Sequence, residues 1–263
     1  MKRIRLSLVL TAAVTAVAAA APAQSQPTAG AAVGTNVLTP AQYALGLLKH
    51  SADKLSAAKS FTVQVASSAE SLSPDGRMIT YFSNAKVAVQ RPNKLMAKRT
   101  GDGPAFDIYY DGKTFSGLDA KLGLYAKMDA PPTLDALVPA VMEKTGMTFP
   151  YADFLYNNVF AALTNGLTYA DPVGKATVNG VLCEHLVFAG PDIEWQIWLG
   201  PENDPLPLRL AVTYLTAERH PRFLAHFSDW DLKARLPASR FELKLPPKAK
   251  LIDFRTHPAK ATN

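Results

Sequence analysis

The chain has 263 residues, of which 48% are hydrophobic, and a formal net charge of +6. Three of its positive charges, Lys2, Arg3 and Arg5, belong to a predicted export signal, so the charge of the mature chain falls to +3. The remaining 240 residues can bury one substantial core, and they hold no Lys/Arg cluster of the kind that indicates nucleic-acid binding.

The N-terminus predicts export of the protein. An apolar stretch over residues 6–21 follows the basic residues, and Ala21-Pro22-Ala23 fits a small-residue cleavage motif. We therefore predict cleavage after about Ala23 and no membrane span in the mature chain, because no later segment reaches about 18 apolar residues. The predicted organisation is a signal peptide (1–23), a flexible leader (24–38), a single domain (39–254) and a tail (255–263).

The first predicted helix begins at Thr39. Thr39 can cap the helix, Pro40 suits its first position, and Gln42 stands where a capping box places Glu or Gln. Apolar residues then recur at helical spacing as far as Ala58. We expect this helix to pack on a sheet.

From Phe61 the apolar period changes to two, which indicates β-strands. Turn residues separate the strands, and Asp111-Gly112 is a strong hairpin signal. Closely spaced short strands predict an antiparallel meander and not βαβ units. The predicted strands are Phe61–Ala69, Arg77–Ser83, Lys86–Gln90, Lys94–Arg99, Phe106–Tyr110, Lys113–Ser116 and Leu122–Met128.

Two helices interrupt this meander. The first is predicted over Thr133–Gly146, with a kink or split at Pro139, which has no amide donor. The second is predicted over Tyr151–Thr164 and is apolar on more than one face. Strands resume near Leu167–Ala170 and continue through Glu242–Lys244. The helices are therefore expected to cover one face or the mouth of the sheet.

The clearest strand pattern lies between Val181 and Tyr214. Apolar side chains alternate there with polar ones on either side of a turn that begins at Gly200. This pattern predicts a sheet with one buried face. The alternating residues are Ile193, Trp195, Ile197 and Leu199, then Leu208, Leu210, Val212 and Tyr214.

Candidate catalytic residues are sparse. Cys183 and His185 share one side of a predicted strand, but side chains two residues apart on a strand are about 7 Å apart, and no further Cys or His pair completes a zinc site. Asp229 and Asp231 flank Trp230 in a pattern typical of a solvated strand face, with a cation site as the alternative. We predict no catalytic residue, metal or cofactor, and a buried, inert Cys183, with a reactive or dimerising thiol as the alternative.

The aromatic residues are the remaining signal. At any one position an ordinary core is the simpler interpretation. Collectively, an unclosed sheet leaves more apolar interior than its own side chains fill, and helices across its mouth would complete a cavity. The predicted ligand-binding residues are Phe106, Tyr110, Phe154, Leu155, Val159, Phe160, Trp195 and Ile197.

Three motifs carry a family resemblance: V-x-G-x-x-C-x-H at Val178–His185, W-Q-I-W at Trp195–Trp198, and P-L-R-L-A-V-T-Y at Pro207–Tyr214. With the order of elements, they resemble a family of predicted periplasmic proteins of unknown function, grouped with the lipoprotein carriers LolA and LolB and the stress-sensor domain RseB. The resemblance implies a mainly β (α+β) fold: an unclosed antiparallel half-barrel with helices covering its mouth. In the carriers that cavity holds lipoprotein acyl chains. LolB-like proteins are lipid-anchored, and this chain has no cysteine after the predicted cleavage site that could carry the anchor.

The sequence therefore predicts a non-enzymatic periplasmic protein that binds a lipid, an acyl chain or another apolar ligand beneath a helical lid. A lipoprotein or another envelope protein is a further candidate partner. The alternative is a sensor or protein-interaction domain without a bound lipid. An open apolar cavity of several hundred Å³ would favour the first function, and a packed interior would favour the second.

Overall fold

The computed structural model describes residues 38–102, 106–147 and 149–254. The predicted signal peptide, nearly all of the predicted leader and the predicted tail lie outside these ranges, so the domain boundaries stay predictions. Within the described ranges, no helix is both long enough and apolar enough to cross a membrane.

The described residues contain one sheet of twelve strands, built from two meanders. The first meander comprises β1 (Ser60–Leu72), β2 (Met78–Gln90), β3 (Lys94–Gly101), β4 (Asp107–Tyr110), β5 (Thr114–Asp119) and β6 (Leu124–Asp129). The second comprises β7 (Tyr169–Val178), β8 (Val181–Ala189), β9 (Ile193–Leu199), β10 (Pro207–Tyr214) and β11 (Arg222–Asp231), and a short β12 (Lys250–Leu251) follows.

The two meanders meet where β1 pairs antiparallel with β11, with Val65 opposite Phe227. The strand order is β12-β6-β5-β4-β3-β2-β1-β11-β10-β9-β8-β7, so β12 and β7 are the edges and the sheet does not close. The pairing of β12 with β6 is parallel and the other pairings are antiparallel. The predicted fold class, a mainly β unclosed half-barrel, is confirmed.

Local sequence signals account for the ends of several elements. Helix α1 (Pro40–Ala57) begins with the predicted capping box: the Gln42 amide donates to the Thr39 hydroxyl, and the Gln42 side chain accepts from the Thr39 amide. The Asp111-Gly112 hairpin is also confirmed, because Gly112 has φ +96° and the Asp111 carboxylate accepts from the amides of Lys113 and Thr114. The predicted break between residues 83 and 86 is wrong, since β2 pairs with β1 without interruption.

Helix α2 (Leu134–Thr145) runs through Pro139 as one helix, so of the predicted kink or split the split is wrong and the kink stays a prediction. Pro139 removes one backbone hydrogen bond, but the buried Leu137 and Val141 hold the helix against the sheet on both sides of it. Gly146 ends the helix in the left-handed conformation, as its position predicted.

The predicted helix over Tyr151–Thr164 is wrong as a single element. The structure has a 3₁₀ helix (Ala152–Leu155), an extended break, and then a short helix α3 (Val159–Thr164). The Asn158 side chain caps α3 by accepting from the Ala161 amide. Asparagine competes with helical hydrogen bonding in this way, which explains why the apolar spacing alone misled.

Most buried apolar side chains lie on the inner face, which we define as the sheet face covered by α1, α2 and α3. They include the α1 residues Ala44, Leu48, Ala52 and Leu55 and the long alternating rows of β1, β9 and β11. A smaller cluster lies on the outer face and consists of Ala88, Met96, Tyr109, Leu118 and Phe241.

That outer cluster explains another wrong prediction. The segment Glu242–Lys244 is not a strand. Its apolar alternation arises because Phe241 is fully buried against the outer face and Leu243 packs beside it. The chain therefore crosses the sheet at this point without pairing to it, and it joins the edge only at β12.

Candidate functional site

A cavity of about 410 Å³ lies between the inner face of the second meander and the segment that includes the 3₁₀ helix and α3. Three loops and four elements, namely the 3₁₀ helix, α3, β9 and β10, meet around it. It is lined by Pro150, Tyr151, Asp153, Phe154, Ala162, Leu163, Asn165, Gly166, Leu167, Gly190, Pro191, Asp192, Ile193, Trp195, Leu210 and Val212.

The floor of the cavity is the alternating block that the sequence singled out. Trp195 of β9 lies opposite Val212 of β10 in the sheet register, and Leu210 lies opposite Ile197. The Trp195 ring stacks on Phe188 of β8, with centroids 4.4 Å apart. Because strand side chains alternate between faces, these apolar groups all project to the inner side. They form an apolar floor for the cavity.

The roof is the segment that holds the 3₁₀ helix and α3. The Phe154 ring lies edge-on to Phe227, with centroids 5.6 Å apart, and Tyr151 contacts the same ring at 6.0 Å. From the turn after β2, Nη2 of Arg91 donates to the carbonyls of Phe154 (3.0 Å) and Tyr156 (3.1 Å). The roof is thus held by aromatic packing from below and by a guanidinium at one end.

The break after the 3₁₀ helix is fixed by two further contacts. The Asp135 carboxylate accepts from the Asn157 amide (2.8 Å) and from the Asn157 side chain (3.1 Å). The Ser56 hydroxyl of α1 accepts from the Val159 amide (3.1 Å). These partners satisfy backbone donors that a continuous helix would have used internally.

Two carboxylates belong to the cavity wall. Asp153 lies half-buried in the roof, whereas Asp192 lies exposed in the turn between β8 and β9. Burial raises the pKa of Asp153, and a hydrogen bond from its own amide opposes that shift. Burial also raises the pKa of the neighbouring Tyr151 hydroxyl, although the positive charge of Arg99 lowers it.

We expect Asp153→Asn to stabilise the protein at neutral pH. The pKa of Asp153 is higher in the folded state than its ordinary value of 3.8, so ionisation of Asp153 disfavours folding. The gain should disappear below about pH 4, where both states hold the proton. Urea unfolding at both pH values would check this. Asp75→Asn, at a side chain that is 62% exposed, is the control, and an equal pH-dependent gain there would contradict the prediction.

Two of the eight predicted ligand-binding residues, Phe154 and Trp195, line this cavity on opposite walls. Phe160 is half-buried against the core, with Lys49 Nζ 5.7 Å from its ring centroid. The Phe106 ring lies over Gly117 of β5, where an added Cβ would be 1.9 Å from its Cε1 atom. Contact of any of these residues with a ligand stays a prediction.

The other four predicted residues, Tyr110, Leu155, Val159 and Ile197, are buried in the inner core and are not among the residues that line the cavity. The Tyr110 hydroxyl donates to the Pro131 carbonyl, and burial raises the pKa of Tyr110 to about 12.

Sequence reasoning missed the polar mouth of the cavity. Asn165-Gly166 and Gly190-Pro191-Asp192 have the sequences of ordinary turns, and neither sequence indicates that the two turns meet. One turn precedes β7 and the other precedes β9. Because β7 and β9 both pair with β8, the strand order would have indicated that these turns lie at the same end of the sheet.

Cys183 and His185 lie on the outer face and have separate partners. The Cys183 thiol is buried, hydrogen bonds to the Val181 carbonyl, and has a raised pKa because of that burial. His185 hydrogen bonds to Gln196 (3.0 Å) and stacks on Trp198 with centroids 4.1 Å apart.

The two aspartates beside Trp230 also have local partners. The Asp229 carboxylate accepts from the Gln64 side chain, and Asp231 accepts from the Lys233 amide. In the part of the chain that the structure describes, no group of three or more His, Cys, Asp or Glu side chains could hold a metal ion.

The fold and the cavity define a class of protein: an unclosed half-barrel with an apolar pocket between its sheet and a helical roof. The chain belongs to the family of predicted periplasmic proteins called DUF2092, which matches residues 44–255. The family prediction is therefore confirmed. No match to the sequence is found among curated proteins.

Several solved structures are similar to this chain. An uncharacterised conserved protein of Thermus thermophilus has a TM-score of 0.47 and 10% identity, over 81% of this chain and 99% of its own. The lipoprotein LppX of Mycobacterium tuberculosis has a TM-score of 0.46 and 15% identity, over 74% and 98%. A LolA superfamily protein of Nitrosomonas europaea has a TM-score of 0.35 and 12% identity, over 76% and 97%.

Proposed function

We propose that the protein is a non-enzymatic periplasmic binding protein for one lipid, acyl chain or other apolar ligand. The observation that carries the proposal is the cavity of about 410 Å³ between Trp195 and Phe154. Its volume lies near the low end of the roughly 300–1,000 Å³ that ligand pockets occupy. A ligand would gain affinity by burying apolar surface against a wall that is already formed.

The roof is the part that we propose to act as a lid. Its two helical pieces are short, and contacts at the ends and the break of the segment hold it in place: Arg91, Asp135 and Ser56. Opening of the roof would break a few polar contacts and the packing of Phe154 on Phe227, and it would expose the floor of the cavity. No covalent step is required, and the titratable groups of the wall are Tyr151, Asp153 and Asp192, without a histidine or cysteine nucleophile.

The alternative, a domain that recognises a protein through its sheet edge, has less support from the β7 edge. Pro172 lacks an amide donor there, and the register shifts between Pro172 and Gly174. Prolines and bulges on edge strands hinder the addition of a further strand. A protein partner that binds with an empty cavity would support this alternative.

Uptake of an apolar fluorescent probe, N-phenyl-naphthylamine, by the mature chain tests the proposal. We expect Ala162→Trp to weaken probe binding at least about tenfold, because Ala162 lines the cavity and the indole would fill it. Ala161→Trp is the matched control, since Ala161 is exposed on the same helix. Native mass spectrometry of protein purified from periplasm would report a bound lipid directly.

Two results would contradict the proposal. One is equal probe affinity in Ala162→Trp and wild type when both are folded. The other is a wild-type protein that takes up no probe and carries no lipid from its native compartment.

A further inference from the structure

We infer that the cavity selects a single-chain apolar ligand whose polar end is a hydrogen-bond donor, such as a hydroxyl, amide or ammonium group, and rejects anionic amphiphiles such as fatty acids. This inference rests on the proposed function and specifies its ligand class. It comes from the charges of the cavity wall.

The wall is apolar with only negative formal charge. Among its described lining residues, Asp153 and Asp192 are the charged groups, and no Lys, Arg or His side chain is present. Asp153 lies half-buried in the roof and Asp192 lies exposed in the turn between β8 and β9, and both belong to the wall that a ligand would meet. A carboxylate headgroup would therefore meet like charge, without a compensating cation among the described lining residues.

Two of the nearby cations are engaged by other partners, the third acts on Tyr151, and no cation among the described residues contributes to the pKa shift of Asp153. Arg91 directs Nη2 at the carbonyls of Phe154 and Tyr156, and Lys49 pairs with Asp53 at 2.6 Å. Arg99 acts electrostatically on the Tyr151 hydroxyl and donates to the Asp102 carbonyl (3.2 Å). Asp153 itself makes no ion pair with a described residue.

The burial of the roof also bears on the charge that a ligand can carry. Burial raises the pKa of Asp153, which means that the surroundings disfavour a negative charge at the roof. A ligand carboxylate would bear a desolvation cost and the repulsion of Asp153 in addition, whereas an ammonium group would bear a desolvation cost that its attraction to Asp153 offsets. A hydroxyl or ammonium group would instead donate to the Asp153 carboxylate, which has free acceptor capacity.

The volume of the cavity limits the size of the apolar part of the ligand. A cavity of about 410 Å³ lies in the lower part of the range for small-molecule pockets, which suits one chain. The inferred ligand class is therefore a single-chain molecule that is uncharged or cationic at its polar end.

The test compares three competitors that share a dodecyl chain: dodecylamine, dodecanol and laurate. Each competitor is titrated against N-phenyl-naphthylamine bound to the mature protein at neutral pH. The competitor is kept below the concentration at which the competitor itself aggregates. We expect laurate to require at least about tenfold more competitor than either of the others. In Asp153→Asn the disadvantage of laurate should shrink to within about threefold, with a smaller effect in Asp192→Asn.

Asp75→Asn removes one negative charge away from the cavity and should retain the full discrimination. Displacement by laurate at the same or lower concentration in wild type would overturn the inference, while probe uptake would still support the proposed function. Failure of the probe and all three competitors to bind wild type would overturn both. Equal loss of discrimination in Asp75→Asn and Asp153→Asn would show that net charge, and not the cavity wall, controls selection.

Discussion

Phe227→Ala is expected to lower the free energy of unfolding by about 3–5 kcal/mol, the range for truncating a large aromatic side chain in a core. Phe227 is 2% exposed, and its ring contacts those of Tyr151, Phe154 and Trp230 at centroid distances of 6.0, 5.6 and 5.9 Å. The void would open directly beneath the cavity roof. Chemical denaturation monitored by circular dichroism measures the loss.

The matched control for this change is Phe82→Ala. Phe82 lies on β2 with 62% of its surface exposed, so its truncation should change stability by less than about 0.5 kcal/mol. Similar losses in the two variants would contradict the assignment of Phe227 as the residue that supports the roof.

Arg91→Met is expected to accelerate hydrogen exchange of the amides in residues 152–159 by about 10- to 100-fold. Methionine fills much of the same volume but cannot donate to the carbonyls of Phe154 and Tyr156. Hydrogen bonds from a charged donor contribute about 1.5–3 kcal/mol, and tenfold in an equilibrium corresponds to about 1.4 kcal/mol. Exchange measured by mass spectrometry on peptides from this segment gives the result.

In Arg91→Met the free energy of global unfolding should fall by less than the free energy of local opening in residues 152–159. Arg91 Nε and Nη1 are buried without a hydrogen-bond partner among the described residues, and burial lowers the pKa of Arg91 although Asp135 raises it. Removing the guanidinium therefore recovers a desolvation cost while it releases the roof. Arg91→Lys keeps a donor and should restore part of the protection.

Arg77→Met provides the control for Arg91→Met. The Arg77 side chain is 80% exposed and pairs with Asp75 at 3.3 Å, a surface contact that contributes little. Exchange in residues 152–159 should be unchanged in this variant. If Arg91→Met left exchange in that segment unchanged as well, the guanidinium would have no role in holding the roof.

The features that could be predicted from the sequence are those set by neighbouring residues. The Thr39–Gln42 capping box and the Asp111-Gly112 hairpin each involve groups within three positions of one another, so local chemistry decides them. Strand alternation likewise identified Trp195 and Ile197 as inner-face residues.

Features set by residues distant in the chain could not be predicted from the sequence. The break in the helix predicted from Tyr151 has a local cap at Asn158. It is also held by Arg91, Asp135 and Ser56, which the fold brings together from one turn and two other helices. The residues Glu242–Lys244 have a strand-like pattern, but the burial of Phe241 determines their path. The sequence identified Trp195 and Phe154, which line the cavity, but it did not identify the polar mouth, where Asp192 lies.

The pairing of β1 with β11 also affects how the protein reaches its fold. Val65 and Phe227 are neighbours in the sheet but about 160 residues apart in the chain. Long-range pairings of this kind slow folding, because the chain loses much entropy before the contact forms. Strand β1 of the first meander therefore precedes its central neighbour β11 by most of the length of the chain. The two halves of the sheet can join only once β11 is available, whereas the floor strands β9 and β10 are neighbours in the chain and can pair without β1.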